Sequence, residues 1–165
     1  MKRWWMVVGL VTGAFVASSA EAQLMPPRRA VDLGSPPSSA LSSRSAEALI
    51  GGHPEDALRL ANQAVAADGR NPWAHYDRAT ALADLGRVDE AVSEFQAAEQ
   101  RFSQNDPWGR SVALYGRADL LARVGRCNEA APVFREYAAF VESSDPQAAA
   151  MARDHARACH PGSSG

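Results

Sequence analysis

The chain has 165 residues, with 17 Lys or Arg against 19 Asp or Glu and a formal net charge of −2. This length suits one ordinary domain and is too short for two large ones. Proteins that bind duplex nucleic acid normally carry a basic excess, so the charge balance argues against a nucleic-acid partner. Two cysteines are too few to staple a mini-protein, although they can form one bridge.

Residues 1–22 have the composition of a secretory signal peptide. Basic residues at positions 2 and 3 precede an uncharged, mostly apolar run that extends to Ala17. The sequence Ala20-Glu21-Ala22 has the A-x-A form of a signal-peptidase site, which predicts cleavage after Ala22, with Ala20 as the alternative. The run of about 14 residues is shorter than the roughly 20 of a membrane-spanning helix, so an uncleaved anchor is the lesser alternative. We expect an exported protein with no membrane span after cleavage, located in the bacterial periplasm.

Residues 23–38 predict a disordered tether ahead of the folded domain. Four prolines remove backbone hydrogen-bond donors there and disfavour a helix interior, and little apolar material offsets the entropy cost of ordering. The remaining chain shows no clear alternating strand pattern. It is rich in Ala, Leu, Arg and Glu, with apolar residues at helical spacing, which predicts an all-α domain over residues 39–160 and a frayed tail at 161–165.

A repeat of 34 residues organises this domain. Gly52 and Gly86 are 34 residues apart, and a third copy marked by Gly125 follows after 39, because five extra residues lie between Phe102 and Arg110. The same spacing recurs in the acidic and small residues that follow the first two glycines: Glu55, Asp56, Ala57, Ala64, Asp89, Glu90, Ala91 and Ala98. Glycine supplies the left-handed C-cap that ends a first helix, and small alanines allow two helices to approach closely. One such helix pair cannot bury its apolar face alone, so neighbouring pairs must stack.

The pattern resembles the tetratricopeptide repeat family, whose unit is a helix–turn–helix of 34 residues. The best copy, residues 72–105, carries residues of the family pattern: Ala79, Leu82, Gly86, Ala91, Phe95 and Ala98. The third copy spans 111–144, and the weaker first copy spans 38–71, where Ala61 replaces the aromatic residue. A last amphipathic segment, residues 147–159, is expected to cap the stack. The resemblance implies a short right-handed superhelix of about three repeats plus this C-terminal capping helix.

In this family the first helices of successive repeats line a concave groove that receives a peptide or a partner helix. Carried over position by position, the resemblance nominates Trp73, Tyr76, Thr80, Asp84, Val112, Tyr115, Asp119 and Arg123, with Ser42 and Ala46 as the matching positions in repeat one. An aromatic residue at helical spacing is also often a core residue, so both interpretations stay open for Trp73 and Tyr76. Trp108, among the five extra residues, either contacts a partner or folds over the junction between repeats two and three. Arg78 and Arg117 stand where the family usually has leucine.

The resemblance implies a non-catalytic adaptor in the cell envelope, whose partner is another envelope protein or a peptide. The alternatives are a self-associating structural module, and hence a homo-oligomer, or a regulatory subunit of an exported enzyme. His53 and His75 have no serine or cysteine nucleophile at a motif-like spacing, and His75 is expected to be a partly buried structural residue. Gly51-Gly52 lacks the lysine and the strand of a phosphate-binding loop. We predict no enzymatic activity and no cofactor.

The two cysteines predict a bridge between the last two helices. Cys127 begins the second helix of repeat three and Cys159 ends the capping helix, so antiparallel helices of about 15 and 13 residues bring both to the same end. An oxidising compartment would favour a disulfide there. The alternative is a zinc site with His155 and His160 as further ligands, although the spacing matches no strong zinc signature.

Overall fold

The computed structural model describes residues 35–159, which form seven α-helices and no strand. The helices are α1 (Pro36–Ile50), α2 (Pro54–Ala67), α3 (Pro72–Asp84), α4 (Val88–Arg101), α5 (Pro107–Arg123), α6 (Cys127–Val141) and α7 (Pro146–Ala158). The predicted all-α repeat fold is confirmed. The predicted signal peptide and tail lie outside the described residues, as does the tether up to residue 34. No helix within residues 35–159 is long and apolar enough to cross a membrane.

The predicted tether extends too far, because α1 begins at Pro36 rather than after Ser38. Proline suits the first turn of a helix, since its missing N–H would have no helical partner there. Ser38 is buried, and its hydroxyl donates a hydrogen bond to the carbonyl of Ala64 at 2.8 Å. Ser42 and Ser45 complete the buried face of α1. The first helix therefore packs through serines rather than through large apolar side chains.

Each first helix ends in a glycine turn at the predicted position. Gly52, Gly86 and Gly125 have φ angles of 73°, 72° and 77°, a left-handed conformation that other residues rarely adopt. Acidic residues open each following helix, where they complement its positive end: Glu55, Asp56, Asp89, Glu90 and Glu129. The turns reverse the chain, so α1 packs on α2, α3 on α4 and α5 on α6.

The three helix pairs stack through small residues. Helices adjacent in sequence contact each other throughout, and the first helices also contact one another, α1 with α3 and α3 with α5. The alanines of the repeat pattern are fully buried: Ala57, Ala64, Ala79, Ala91, Ala98 and Ala118. Larger side chains fill the remaining space: Leu82, Phe95, Leu114, Leu121 and Phe134. Helix α7 packs on α6 through Ala149, Ala152 and Ala156, in the place predicted for the capping helix.

The five extra residues of repeat three lengthen α5, which begins at Pro107 and has 17 residues. The Asp106 carboxylate caps this helix by accepting a hydrogen bond from the backbone N–H of Gly109 at 2.9 Å. A Cβ atom at position 109 would lie 2.3 Å from the Phe102 ring, so any larger residue requires that ring to shift. The added turn carries Trp108 into a cluster with Trp73 of α3.

Candidate partner-binding groove

Trp73 lies in the core rather than on a groove. Its side chain is 0% exposed, and its ring lies 5.6, 5.0 and 5.4 Å from those of Tyr76, Phe102 and Trp108 between centroids. The prediction that Trp73 lines an accessible groove is therefore wrong. The physical reason is the lengthened α5, which places Trp108 against the Trp73 ring. Trp108 is half-buried in this cluster, in the position that folds over the junction between repeats two and three.

The other nominated residues of α3 remain accessible. Tyr76 is half-buried, because its ring contacts Trp73 and Phe95, both at 5.6 Å between centroids. Thr80 is also half-buried, and its hydroxyl donates a hydrogen bond to the Tyr76 carbonyl at 3.0 Å. Asp84, the last residue of α3, is exposed. Helix α3 therefore offers a partner part of a tyrosine ring and one carboxylate.

Helix α5 carries a more exposed aromatic residue than α3 does. Tyr115 is 36% exposed, and its ring packs edge-on against Phe134 with the centroids 6.0 Å apart. Val112, one turn earlier, is half-buried. Asp119 and Arg123 form an i,i+4 ion pair of 2.9 Å in which both side chains are well exposed. These four positions recur every three or four residues, so they share one face of α5.

Tyr137 extends this surface onto α6 and was not nominated from the sequence. Its side chain is half-buried, and its ring centroid lies 5.2 Å from that of Tyr115. Burial raises the pKa of the Tyr137 hydroxyl, and the neighbouring Asp145 and Tyr115 raise it further, so this side chain stays neutral at physiological pH. The nominations came from first helices alone. The sequence feature that could have indicated Tyr137 is its three-residue spacing from Phe134, which places two aromatic rings side by side on α6.

The matching positions in repeat one contribute little to this surface. Ser42 is 1% exposed, and its hydroxyl donates a hydrogen bond to the carboxylate of Asp77, which joins α1 to α3. The nomination of Ser42 as a groove residue is therefore wrong, because its side chain docks α1 onto the next repeat. Ala46 is half-buried. The candidate surface, called here the tyrosine groove, consists of Tyr76, Thr80, Asp84, Val112, Tyr115, Asp119, Arg123 and Tyr137.

Arg78 and Arg117 form ion pairs between helices at the two leucine positions of the repeat pattern. Arg78 of α3 lies 2.5 Å from Glu94 of α4, and Arg117 of α5 makes contacts of 2.7 and 3.0 Å with Glu99 of α4. Burial raises the pKa of Glu99, even though Arg117 acts in the opposite direction. Burial also acts to raise the pKa of Glu94, but hydrogen bonds from His75 and Arg78 outweigh it and the net pKa is lowered.

A polar pocket of about 410 Å³ lies between α2, α3 and α4, away from the nominated residues. Its lining consists of Leu58, Asn62, Arg78, Leu82, Arg87, Asp89, Glu90, Ser93 and Glu94. Next to Glu94, His75 is 5% exposed, with Nδ1 2.7 Å from the Glu94 carboxylate and Nε2 3.1 Å from the Gly69 carbonyl. The predicted structural role of His75 agrees with this burial. Arg87 and Glu90 also pair, at 2.7 Å, so two of the acidic residues of the lining, Glu90 and Glu94, have arginine partners within it.

One family model matches part of the sequence. A model described as tetratricopeptide repeat matches residues 47–107, which span the end of α1 and all of α2, α3 and α4. Residues 47–107 therefore belong to the tetratricopeptide repeat family. Among solved structures, its fold is similar to one described as "MamA RS-1 ArsTM double mutant", with 21% identity, 77% of each chain covered and a TM-score of 0.55. At this identity the likeness concerns the fold alone. No curated protein matches the chain significantly.

The two cysteines meet at one end of the last helix pair, α6 and α7. Cys127 opens α6, and Cys159 directly follows α7. Their Cα atoms are 4.7 Å apart, within the range of about 4.4–6.8 Å that a bridge requires. The two residues therefore form a disulfide-compatible pair at the place that the helix lengths predicted.

The described residues offer no support for the zinc alternative. Within residues 35–159, no group of three or more His, Cys, Asp or Glu side chains is placed to hold a metal ion. The His155 ring stacks on Phe134 of the neighbouring helix, with centroids 5.2 Å apart and planes 21° apart. His160, the remaining ligand of that hypothesis, lies outside the described residues.

Proposed function

We propose that this protein is a non-catalytic adaptor that binds a peptide or helix of another envelope protein in the tyrosine groove. Stacked helical repeats create extended surfaces suited to such partners. The exposure of Tyr115 carries the proposal. Among the large apolar side chains that residues 35–159 leave exposed, Tyr115 is the one aromatic residue. Exposed aromatic rings on a rigid scaffold are typical anchors of protein interfaces.

The surroundings of Tyr115 suit an anchor of this kind. Phe134 and Tyr137 back its ring from α6, so the ring is already positioned and loses little freedom when a partner binds. Asp119 and Arg123 lie one and two turns further along α5 and supply exposed polar groups. An aromatic centre with a polar rim is the usual anatomy of a specific interface.

Truncating the anchor tests the adaptor role. The exported protein would be crosslinked in the native envelope and its partners identified, for the parent chain, Tyr115→Ala and Tyr115→Phe. We expect Tyr115→Ala to lose at least about tenfold in partner recovery, because a hot-spot truncation costs 2 kcal/mol or more, roughly. Tyr115→Phe should keep most of the recovery, since the ring remains.

Arg59→Ala is the matched control for that experiment. Arg59 lies on α2 with 57% of its side chain exposed, so its loss removes a large exposed side chain away from the tyrosine groove. Helicity measured by circular dichroism should be equal for all variants. Equal recovery of partners by Tyr115→Ala and Arg59→Ala would refute binding through the tyrosine groove.

We further propose export to the bacterial periplasm with cleavage after Ala22. The support is the basic, apolar and A-x-A order of residues 1–22, which lie outside the described structure. Cell fractionation followed by N-terminal sequencing should find a mature protein that begins at Gln23, or at Glu21 if the alternative bond is cut. Recovery of the chain with Met1 retained would refute the proposal.

In the same compartment we propose that Cys127 and Cys159 are bridged. Disulfides persist in oxidising compartments, and the two Cα atoms already lie at bridging distance. Mass spectrometry of the exported protein under non-reducing conditions should find a mass two hydrogen atoms below that of the dithiol, since an oxidant of the compartment takes up two protons and two electrons when the bridge forms. Two alkylatable thiols would refute the bridge.

A further inference from the structure

The first helix of each later repeat faces the second helix of the repeat before it. Arg117 of α5 binds Glu99 of α4 in this way, at 2.7 and 3.0 Å. Arg78 of α3 lines the polar pocket together with Leu58 and Asn62 of α2. The position of Arg117 therefore contacts the preceding helix directly, and that of Arg78 borders it across the pocket.

Helix α1 presents the same positions with no helix before it among the described residues. The residues 34 positions before His75, Arg78 and Leu82 are Leu41, Arg44 and Ala48, and we call them the α1 edge. Leu41 and Ala48 are half-buried, and Arg44 is exposed. Arg44 forms no hydrogen bond or ion pair within residues 35–159, whereas its counterpart Arg117 binds Glu99 of the preceding repeat and Arg78 binds Glu94 of its own repeat.

At the other end of the stack, α7 presents an outer face of matching spacing. Met151 is 55% exposed, the Asp154 side chain is 67% exposed, and Ala158 is exposed. These residues lie opposite the buried alanines of α7, and we call them the α7 face. Asp154 contacts Arg157 of its own helix, but an exposed pair of this kind contributes little and is readily exchanged.

The α1 edge and the α7 face are complementary when the helices run antiparallel. Both follow the spacing i, i+3, i+7, so the residues of each set lie along one side of a helix. In the antiparallel orientation Leu41 faces Ala158, Arg44 faces Asp154, and Ala48 faces Met151. Each large apolar side chain then meets an alanine, and the opposite charges meet at the centre. A parallel orientation would instead oppose the two large side chains.

We propose that a second copy of this chain docks its α7 face on the α1 edge, so that copies join head to tail. This contact continues the stacking that already joins the repeats within one chain. Because the two contacting surfaces differ, such an interface need not close after two copies and extends into longer assemblies. The proposed self-association uses none of the residues of the tyrosine groove and is independent of the adaptor function.

Reversing the charge on either side of this interface by substitution tests the proposal. Sedimentation velocity would be measured on the full chain, processed as in the cell, from about 5 to about 500 μM, a range that detects micromolar affinity. The parent protein should show a mass that rises with concentration beyond the dimer. Arg44→Glu and Asp154→Arg, each alone, should raise the dissociation constant at least about tenfold, because like charges then oppose.

An equimolar mixture of the two variants should associate like the parent protein. In the mixture the acidic α1 edge of one variant meets the basic α7 face of the other, and the second contact in the chain of copies is the native pair. Arg135→Glu, which makes the same charge change at an exposed site on α6, should associate like the parent and serves as the control.

Several results would overturn the proposal. A monomer at every concentration would do so, as would association that neither charge variant weakens, or a mixture that behaves like its components. If the full chain is monomeric but associates once the residues before Ser35 are removed, the chain's own N-terminal segment occupies the α1 edge. That outcome would also refute a second copy as the occupant.

Discussion

Breaking the pair of Cys127 and Cys159 should destabilise the domain by roughly 3.7 kcal/mol, provided that the two are bridged as proposed. The residues are 32 positions apart, and the entropy of closing a loop of that length is about 12 cal/mol/K, which gives the quoted free energy at 25 °C. The double variant Cys127→Ala/Cys159→Ala is the appropriate perturbation. It leaves no free thiol, and alanine fills most of the small space that Cys159, 7% exposed, occupies.

The loss should concentrate in α7. This helix buries only small side chains, Ala149, Ala152 and Ala156, so apolar burial alone attaches it weakly to α6. Hydrogen exchange of the double variant should therefore show a larger acceleration for the α7 amides than for those of α3 and α4. Equal acceleration of the amides throughout the domain would contradict this local account.

Urea unfolding followed by circular dichroism measures the size of the effect. Reductant should lower the free energy of unfolding of the parent protein to that of the double variant and leave the double variant unchanged. A difference between oxidised and reduced parent protein below about 1 kcal/mol would refute the loop-entropy reasoning. A response of the double variant to reductant would show that the effect does not come from these cysteines.

Gly109→Ala should lower the free energy of unfolding by about 1–3 kcal/mol, because its Cβ would lie 2.3 Å from the buried Phe102 ring. Thermal melts should show no comparable loss for Gly69→Ala, whose Cβ would meet its nearest neighbour at 3.7 Å. Asn71→Ala should cost about 1–3 kcal/mol in urea unfolding, since this fully buried side chain caps α3; an unchanged midpoint would contradict that role. The folded pKa of Glu94 lies below its ordinary 4.5, so its contribution to stability is present above that pH and lost as the pH falls through the folded pKa. Glu94→Gln should therefore flatten the acid side of the stability curve below about pH 5, and an unchanged acid side would contradict the assignment.

Local chemistry made the helices and turns predictable from the sequence. Gly52, Gly86 and Gly125 recur at nearly constant spacing because each ends a first helix in a conformation that glycine adopts most readily. The start of α1 was placed too late because prolines indicated disorder, whereas Pro36 occupies the first turn and the serines after it form buried hydrogen bonds. Composition alone does not show that these serines will find backbone carbonyls as hydrogen-bond partners in α2.

The candidate site was less predictable because it depends on contacts between repeats. The repeat pattern placed Trp73 on an accessible face, and that placement assumes neighbours of standard length. The extra residues extend α5 by about one turn, and Trp108 then encloses the ring. Tyr137 was missed for the opposite reason, since it reaches Tyr115 from a second helix that the pattern assigns to packing.

The arginines at the leucine positions also restrict how this protein can be re-engineered. Glu94 and Glu99 of α4 are partly buried and face Arg78 on one side and Arg117 on the other. Arg78 and Glu94 belong to the same repeat, whereas Arg117 and Glu99 belong to successive repeats. Replacing repeat three by a consensus module with leucine at position 117 would leave Glu99 partly buried without its counter-charge, at a cost of several kcal/mol, roughly. Exchanging modules between this chain and other repeat proteins therefore requires that Arg117 and Glu99 be moved together.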